Sequence, residues 1–325
     1  MNARLDPISA RVPYYATQLG QAYLADSLEL IREMRAGSVD LVLTSPPFAL
    51  KRKKDYGNED EDKYVDWFLS FAPDLKRLLK PNGSFVLDLG GAYLPGFPVR
   101  SIYMFDLLVR LVKETGFYLA QEFFHYNPAR LPAPAEWVNV RRIRVKDSVN
   151  VVWWLSKSQH PKADNRKVLK PYSDSMVGLL KNGYKAKLRP SGHDISANFS
   201  RDNGGAIPPN LLELANTDSN GAYQQRCRAA GIKVHPARFP PAFPEFFLKF
   251  LTDEGDVVFD PFAGSNTTGF VAERMGRRWI ASELSEEYLK GSKFRFDLDL
   301  PSPQSRPLAE PETRYGRRTA EARTA

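Results

Sequence analysis

The sequence has a single cysteine, Cys227, and only four histidines among its 325 residues. One cysteine excludes an internal disulfide framework and a zinc site built from several cysteines. Long apolar runs are missing too, since no stretch approaches the roughly 20 residues that a membrane-spanning helix needs. Residues 1–15 carry Arg, Asp and two prolines, which is not the pattern of a signal peptide. We therefore expect a cytoplasmic protein with no metal site and no membrane partner.

The positive charge of the chain is concentrated in one region. Lys and Arg number 46 against 38 Asp and Glu, which gives a net charge of +8 and a pI near 9.4. Residues 130–200 alone hold fourteen basic and five acidic residues, so this stretch carries the whole surplus. It has little apolar periodicity, which is typical of a solvated insertion. Long insertions are often functional surfaces, and a local excess of positive charge favours nucleic acid as the partner.

Strand and helix patterns alternate on both sides of this basic region. Before it, strands are predicted at 20–25, 39–43, 84–88, 121–126 and 149–155, and helices at 27–34, 64–79 and 102–112, with a turn at 80–83. After it, strands are predicted at 256–259 and 279–282, and helices at 244–251, 267–274 and from 286. This alternation predicts an α/β fold with one doubly wound, mostly parallel sheet and helices on both faces.

The segment Thr44-Ser45-Pro46-Pro47-Phe48 directly follows the strand predicted at 39–43. In an open α/β sheet, ligands bind beyond the carboxyl ends of the strands, where this segment lies. Two consecutive prolines fix the backbone and remove two donors, so the carbonyls of a rigid loop are free to accept hydrogen bonds. With the Ser45 hydroxyl and the Phe48 ring, the loop suits an exocyclic amino group on a planar base. The competing interpretation is a proline turn that ends a strand and buries a core Phe.

A second loop, Asp260-Pro261-Phe262-Ala263-Gly264-Ser265-Asn266-Thr267, follows a strand and leads into a helix. An acidic strand end followed by small residues lets the backbone approach a nucleoside-bearing ligand closely. The loop is not a Walker phosphate loop, because no Gly-Lys-Ser/Thr follows. It is not a Gly-x-Gly-x-x-Gly fingerprint either, because Asn266 stands where a second Gly would be. Two further acids end strands. Glu283 suits ribose hydroxyls, and Asp26 fits either an adenine amino group or a helix N-cap.

Taken together, these segments resemble the S-adenosylmethionine-dependent amino-methyltransferases of DNA, in the permuted motif order that puts the catalytic loop before the cofactor loop. Ser-Pro-Pro-Phe, rather than Asp/Asn-Pro-Pro-Tyr/Phe, is similar to the members that methylate N4 of cytosine. The sequence is closer still to the PvuII-like type II modification methyltransferases, and this resemblance covers nearly the whole chain. Its further motifs lie at 52–58, 64–72, 143–147, 189–195, 202–205, 235–240 and 264–269.

The resemblance implies a role for each motif. The implied catalytic residues are Ser45, Pro46, Pro47, Phe48 and, as an acid near the target, Asp88. The implied cofactor-binding residues are Asp26, Pro236, Asp260, Phe262, Gly264, Ser265, Asn266, Thr267 and Glu283. The DNA-binding candidates are Arg130, Arg142, Arg189, His193 and Asn203. Cys227 is far from both loops, so we expect an inert thiol rather than the nucleophile of a C5-cytosine mechanism.

Neither flank supplies a full sheet alone, so we expect one catalytic domain with an inserted target-recognition region. The expected parts are 1–156 with the catalytic loop at 44–48, the insertion at 157–232, and 233–298 with the cofactor loop at 260–267. Residues 299–325 are expected to be a disordered tail, because from 301 on they combine four prolines with Arg, Glu and Thr.

The function that the resemblance implies is methyl transfer from S-adenosylmethionine to N4 of a cytosine flipped out of double-stranded DNA. The implied target is the inner cytosine of CAGCTG, within a restriction-modification system that includes an endonuclease for the same site. We expect a monomer. Two alternatives stay open: an N6-adenine methyltransferase of the same architecture, against which Ser45 argues, and a DNA-binding relative that has lost catalysis.

Overall fold

A computed structural model of the chain describes residues 11–48, 61–94, 96–183, 201–216 and 221–298. The strands are β1 (Tyr15–Ala16), β2 (Gly20–Leu24), β3 (Val39–Thr44), β4 (Leu79–Leu89), β5 (Tyr118–Tyr126), β6 (Val149–Ser156), β7 (Leu211–Glu213), β8 (Val257–Asp260) and β9 (Arg278–Glu283). The α-helices are α1 (Ser27–Glu33), α2 (Glu61–Leu69), α3 (Ala72–Leu78), α4 (Tyr103–Lys113), α5 (Asp174–Asn182), α6 (Ala222–Ala229), α7 (Ala242–Leu251), α8 (Thr267–Arg274) and α9 (Glu286–Ser292).

The strands of the described residues form one sheet in the order β1-β2-β9-β8-β3-β4-β6-β5-β7. Strands β2, β9, β8, β3 and β4 are mutually parallel, whereas β6 is antiparallel to both β4 and β5. At the edges, β1 is antiparallel to β2 and β7 is parallel to β5. The predicted doubly wound, mostly parallel sheet is confirmed. Strand β7, which lies within the expected insertion at 157–232, extends this sheet.

Helices cover both faces of the sheet. On β3, Val42 packs into the layer that contains α1 to α4, whereas Leu41 and Leu43 pack into the layer that contains α7 to α9. Because both faces are covered, all six residues of β3 are buried. Its one charged residue, Asp40, accepts hydrogen bonds from the Lys80 ammonium at 2.8 Å and from the Val257 amide at 2.9 Å.

The prediction of one helix at 64–79 is wrong, because the segment forms two helices, α2 and α3. The break falls at Ser70 and Phe71, and Pro73 stands in the first turn of α3. Proline has no backbone N–H and restricts the residue before it, so a continuous helix through this position is disfavoured. The turn predicted at 80–83 lies inside the observed bounds of β4.

The strand order reverses between β8 and β3. From β3 the chain passes through α2 and α3 to β4 on one side, whereas from β8 it passes through α8 to β9 on the other side. Such a reversal opens a crevice beyond the carboxyl ends of the two strands. The residues that end them are Thr44 and Asp260. In the described part of the chain, no helix is long and apolar enough to cross a membrane.

Candidate active site

A cavity of about 840 Å³ opens at the reversal of strand order, which is a volume typical of small-molecule sites. Its wall contains every predicted catalytic residue: Ser45, Pro46, Pro47, Phe48 and Asp88. It also contains the predicted cofactor residues Asp26, Pro236, Asp260, Phe262, Gly264, Ser265, Thr267 and Glu283. The structure therefore brings the two sequence loops together in one site.

The Asp260 carboxylate joins the two loops. One oxygen accepts hydrogen bonds from the Thr44 hydroxyl at 2.7 Å and from the Phe262 amide at 3.1 Å, and the other accepts from the Thr268 hydroxyl at 2.7 Å. Thr44 begins the catalytic loop, whereas Phe262 and Thr268 belong to the cofactor loop and α8, so one side chain fixes both. Burial raises the pKa of Asp260 to about 6, although these three hydrogen bonds act in the opposite direction.

The cofactor loop turns at Gly264, whose φ of 53° is left-handed. A Cβ at this position would lie 2.9 Å from the His235 ring nitrogen, so the loop passes too close to His235 for any side chain. The Gly264 amide donates to Glu283 at 2.8 Å, and the Ser285 amide donates to the other Glu283 oxygen at 2.8 Å. Burial raises the pKa of Glu283, and the amides that it accepts from oppose this shift.

Asn266, a predicted cofactor residue, is not brought to the cavity wall. Its side chain is fully buried, accepts from the Gly269 amide at 3.0 Å as the N-cap of α8, and donates to the Tyr15 hydroxyl at 2.9 Å. Its backbone is left-handed, with φ 54°, a conformation that Asn tolerates better than most residues. A short polar residue at the start of a helix is typical both of an N-cap and of a ligand contact, so the sequence pattern does not distinguish these two roles.

Aromatic rings line one side of the cavity. The Phe262 ring contacts Trp67 and Phe71, with centroid distances of 5.7 Å and 5.4 Å.

Asp26 lies at the border of the cavity and is exposed. It accepts hydrogen bonds from the first amides of α1, so the N-cap interpretation of this residue is confirmed.

The part of the cavity around the catalytic loop is called the catalytic half, and Ser45 and Asp88 are its polar residues. The Ser45 hydroxyl donates to Asp88 at 3.2 Å, and the Arg130 guanidinium donates to the Asn150 side-chain carbonyl at 3.0 Å. Burial raises the pKa of Asp88, whereas the charge of His125, hydrogen bonding from Asn150 and Ser45, and the charge of Arg130 lower it. Arg130, predicted to bind DNA, thus belongs to the cavity wall, and burial lowers its own pKa.

Phe48 packs over the end of β4. A Cβ on Gly90 would lie 2.5 Å from the Phe48 ring, so the ring rests directly on glycine backbone. Phe48 is itself only partly buried and faces the cavity. This contact fixes an aromatic surface beside Ser45.

Sequence reasoning missed several cavity residues, among them His125, Asn127, Asn150, Asn216 and Trp67. His125 and Asn150 are directly paired across β5 and β6. The available signal was a polar residue next to apolar ones in each strand, His125 after Phe124 and Asn150 before Val151, but the pairing of these strands could not be read from the sequence.

Two of the other DNA-binding candidates lie apart from the cavity. Arg142 and Asn203 are exposed and do not line it. Arg189 and His193 lie outside the described residues.

Cys227 is fully buried, and burial raises the pKa of its thiol, which agrees with an inert thiol. Within the described residues, no cluster of three or more His, Cys, Asp and Glu could hold a metal ion.

Comparison with known proteins identifies the architecture. Residues 39–294 match the family model N6_N4_Mtase, described as DNA methylase. The chain is 56% identical to the type II methyltransferase M.PvuII of Proteus hauseri over 287 residues, which cover 87% of this chain and 85% of the relative. It superposes on the solved PvuII DNA methyltransferase (cytosine-N4-specific) with a TM-score of 0.74, 49% identity and 90% coverage of both chains. The complex of a DNA modification methylase from Thermus thermophilus with S-adenosyl-L-methionine shares the fold, with a TM-score of 0.54, 21% identity, and coverage of 86% of this chain and 93% of that one.

The raised pKa of Asp260 predicts a pH-dependent stability. The folded state holds this proton up to about pH 6, whereas an unfolded aspartate releases it near 3.8, so the contribution of Asp260 to stability falls as pH rises between these values. The Asp260→Asn variant has no carboxyl group at this position, so it lacks this pH-dependent contribution to stability. Urea unfolding at pH 5 and pH 7.5 should therefore show that the wild type gains more stability than Asp260→Asn when pH is lowered. Equal gains in both proteins would show that Asp260 does not titrate in this range.

Proposed function

The chain belongs to the N6_N4_Mtase family of DNA methylases, and on this premise we propose that it transfers a methyl group from S-adenosylmethionine to N4 of cytosine in duplex DNA. The observation that carries the proposal is the hydrogen bond from the Ser45 hydroxyl to Asp88. Ser45 has a single hydroxyl proton, so a hydroxyl that donates to Asp88 has only lone pairs left for a substrate. The Ser45 hydroxyl oxygen therefore accepts a hydrogen bond from one N–H of the substrate amino group.

The second hydrogen of the amino group is accepted by the Pro46 carbonyl. The lone pair of a cytosine amino nitrogen is delocalised into the ring, which makes the nitrogen a poor nucleophile. Two acceptors, Ser45 and Pro46, localise that lone pair and direct it along one line. Positioning is then the main contribution of the protein, and no strong base is needed before the new bond forms.

The part of the cavity around the cofactor loop is called the cofactor half, and the chemistry of its residues fits S-adenosylmethionine. The Glu283 carboxylate has lone pairs beyond those used by two amides, which suits ribose hydroxyls. Phe262 offers a partly exposed ring, and Gly264 lets the loop backbone lie directly against His235. The His235–Pro240 segment, with Pro236 in the cavity wall, covers the methionine end. When bound, this cofactor supplies an electrophilic methyl group on a sulfonium.

Asp88 receives the proton that leaves the amino nitrogen. A methylated N4 would carry one proton more than the neutral product amine, so it must lose that proton. The Ser45 hydroxyl lies between N4 and Asp88, so the proton passes through Ser45 to the carboxylate. Burial raises the pKa of Asp88, which favours its protonated form after transfer.

The substrate base reaches this cavity by flipping out of the duplex, and Phe48 stacks on it. Lys and Arg of the basic region, residues 130–200, bind phosphates and residues in it read base edges. We propose CAGCTG as the target, with its inner cytosine methylated. The enzyme acts as a monomer in the cytoplasm, where it protects DNA from an endonuclease that cuts the same site. This assignment is supported by the 56% identity to M.PvuII and by its type II name.

Ser45→Ala should lower kcat by roughly 10²-fold or more, because an acceptor that acts on the reacting group is lost. The affinity for S-adenosylmethionine should change little, since Ser45 lies in the catalytic half. The measurements are methyl transfer from radiolabelled cofactor and equilibrium dialysis. Ser38→Ala, which removes a hydroxyl bonded to the Arg35 carbonyl on the surface, is the matched control. An unchanged rate for Ser45→Ala would contradict the role given to Ser45.

The product distinguishes this function from its alternatives. Plasmid DNA methylated by the enzyme should yield N4-methylcytosine after digestion to nucleosides, and the modified positions should map to the inner cytosine of CAGCTG. N6-methyladenine as the sole product would replace the proposal with adenine methylation. N4-methylcytosine at another sequence would retain the chemistry and overturn the target. No cofactor binding and no product would identify an inactive DNA-binding relative.

A further inference from the structure

His125 lies on the face of the sheet that carries the catalytic residues. Side chains alternate along a strand, and His125 is paired with Asn150 across β5 and β6, while Asp88 is paired with Val152 on the other side of β6. Asn150 and Val152 are two residues apart, so His125, Asn150 and Asp88 point to the same side. His125 therefore faces the catalytic half of the cavity, two strands away from Asp88.

The imidazole is buried without a hydrogen-bond partner. The residue is 7% exposed, and within the described part of the chain neither of its ring nitrogens makes a hydrogen bond. Phe243 of α7 packs against the ring, with a centroid distance of 5.1 Å and an interplanar angle of 31°, and holds its orientation. A buried polar group is normally paired, so an unpaired one in a cavity wall points to a ligand atom.

The neighbours of His125 have their polar groups directed elsewhere. The Asn150 carbonyl accepts from Arg130, and the Asn150 side chain also acts on Asp88. The Ser45 hydroxyl is directed to Asp88. An imidazole carries at least one N–H donor in either protonation state, so His125 has a donor that no described protein acceptor takes up.

A flipped cytosine has an acceptor that fits this donor. Next to its amino group the base carries ring nitrogen N3 and then the carbonyl oxygen O2, and both accept hydrogen bonds. Adenine has an amino group and a ring nitrogen in the same arrangement but a C–H where cytosine has O2. The Ser45 hydroxyl lies 3.2 Å from Asp88 of β4, and with about 4.8 Å between neighbouring strands β5 lies about 10 Å from β4. A pyrimidine edge with a hydrogen bond of about 2.9 Å at each end spans a similar distance.

We infer that His125 donates a hydrogen bond to O2 of the flipped cytosine and thereby selects cytosine over bases that lack this carbonyl. The inference rests on the proposed function, because it names a further contact to the same substrate. His125 is a specificity residue here, and Ser45, Pro46 and Asp88 act on the amino group. A buried donor left without its acceptor disfavours the wrong base more strongly than a missing apolar contact would.

A double-mutant cycle between the protein and the base tests this contact. The duplex carries, at the cytosine that the wild type methylates, either cytosine or a 2-aminopyridine nucleoside, which keeps the amino group and ring nitrogen but has C–H in place of the carbonyl. The enzymes are the wild type, His125→Ala and His125→Gln, which keeps an N–H donor. Ser38→Ala, which removes a hydroxyl bonded to the Arg35 carbonyl on the surface, is again the control.

We expect the effect of substituting His125 on kcat/KM to depend on whether the target base carries the O2 carbonyl. Wild type should prefer cytosine to the analogue by about 10- to 100-fold in kcat/KM, the range expected for one buried hydrogen bond, and His125→Ala should show little preference. His125→Gln should recover part of the preference, and Ser38→Ala should match the wild type. Binding of S-adenosylmethionine by every variant shows that it is folded.

Two results would overturn the inference. One is that His125→Ala loses activity equally on both bases, which would make His125 a structural residue. The other is that His125→Ala keeps the full preference for cytosine. Failure of the proposed function itself is recognised separately, because the wild type would then form no N4-methylcytosine.

Discussion

The buried carboxylate of Asp260 accepts hydrogen bonds from both sides of the point where the strand order reverses. Parallel strands β8 and β3 bring the two loops to the same edge, but they do not fix the loops relative to each other. Thr44 and Thr268 do so through Asp260. A carboxylate so deeply buried is destabilising unless it is hydrogen bonded, and here all three donors belong to the loops that it joins. The site depends on this interaction because methyl transfer requires the two halves to be held in line.

The two halves of the cavity use different chemistry. The cofactor half consists of Glu283 with the backbone amides that donate to it, the partly exposed Phe262 ring, and Gly264, whose backbone lies against His235. The catalytic half consists of side chains from adjacent strands, and these residues direct their hydrogen bonds at one another. Ser45 donates to Asp88, so its lone pairs remain for a substrate. Such fixed polar groups need little reorganisation when the reaction occurs.

The sequence sufficed for the parts of the site that are continuous in the chain. The loops at 44–48 and 260–267 follow apolar strands, and strand ends in a parallel sheet share one edge, so their meeting was predictable. The sequence pattern at Asn266 does not separate a helix N-cap from a ligand contact, because a left-handed N-cap and a ligand contact favour the same short polar side chain. Asn150 and His125 could not be grouped, because their proximity arises from antiparallel pairing that charge and periodicity do not encode. The helix break before Pro73 was visible in the sequence but was not used.

The most direct test of the role of Asp260 is the effect of Thr44→Val on catalysis and cofactor affinity. Valine has nearly the shape of threonine but cannot donate to Asp260, so it frees the catalytic loop and leaves the cofactor loop bonded through Phe262 and Thr268. We predict that kcat falls by about tenfold or more while the Kd for S-adenosylmethionine changes little, since a small misplacement of reacting groups is costly. An unchanged kcat in a folded Thr44→Val enzyme would contradict the claim that Asp260 aligns the two loops.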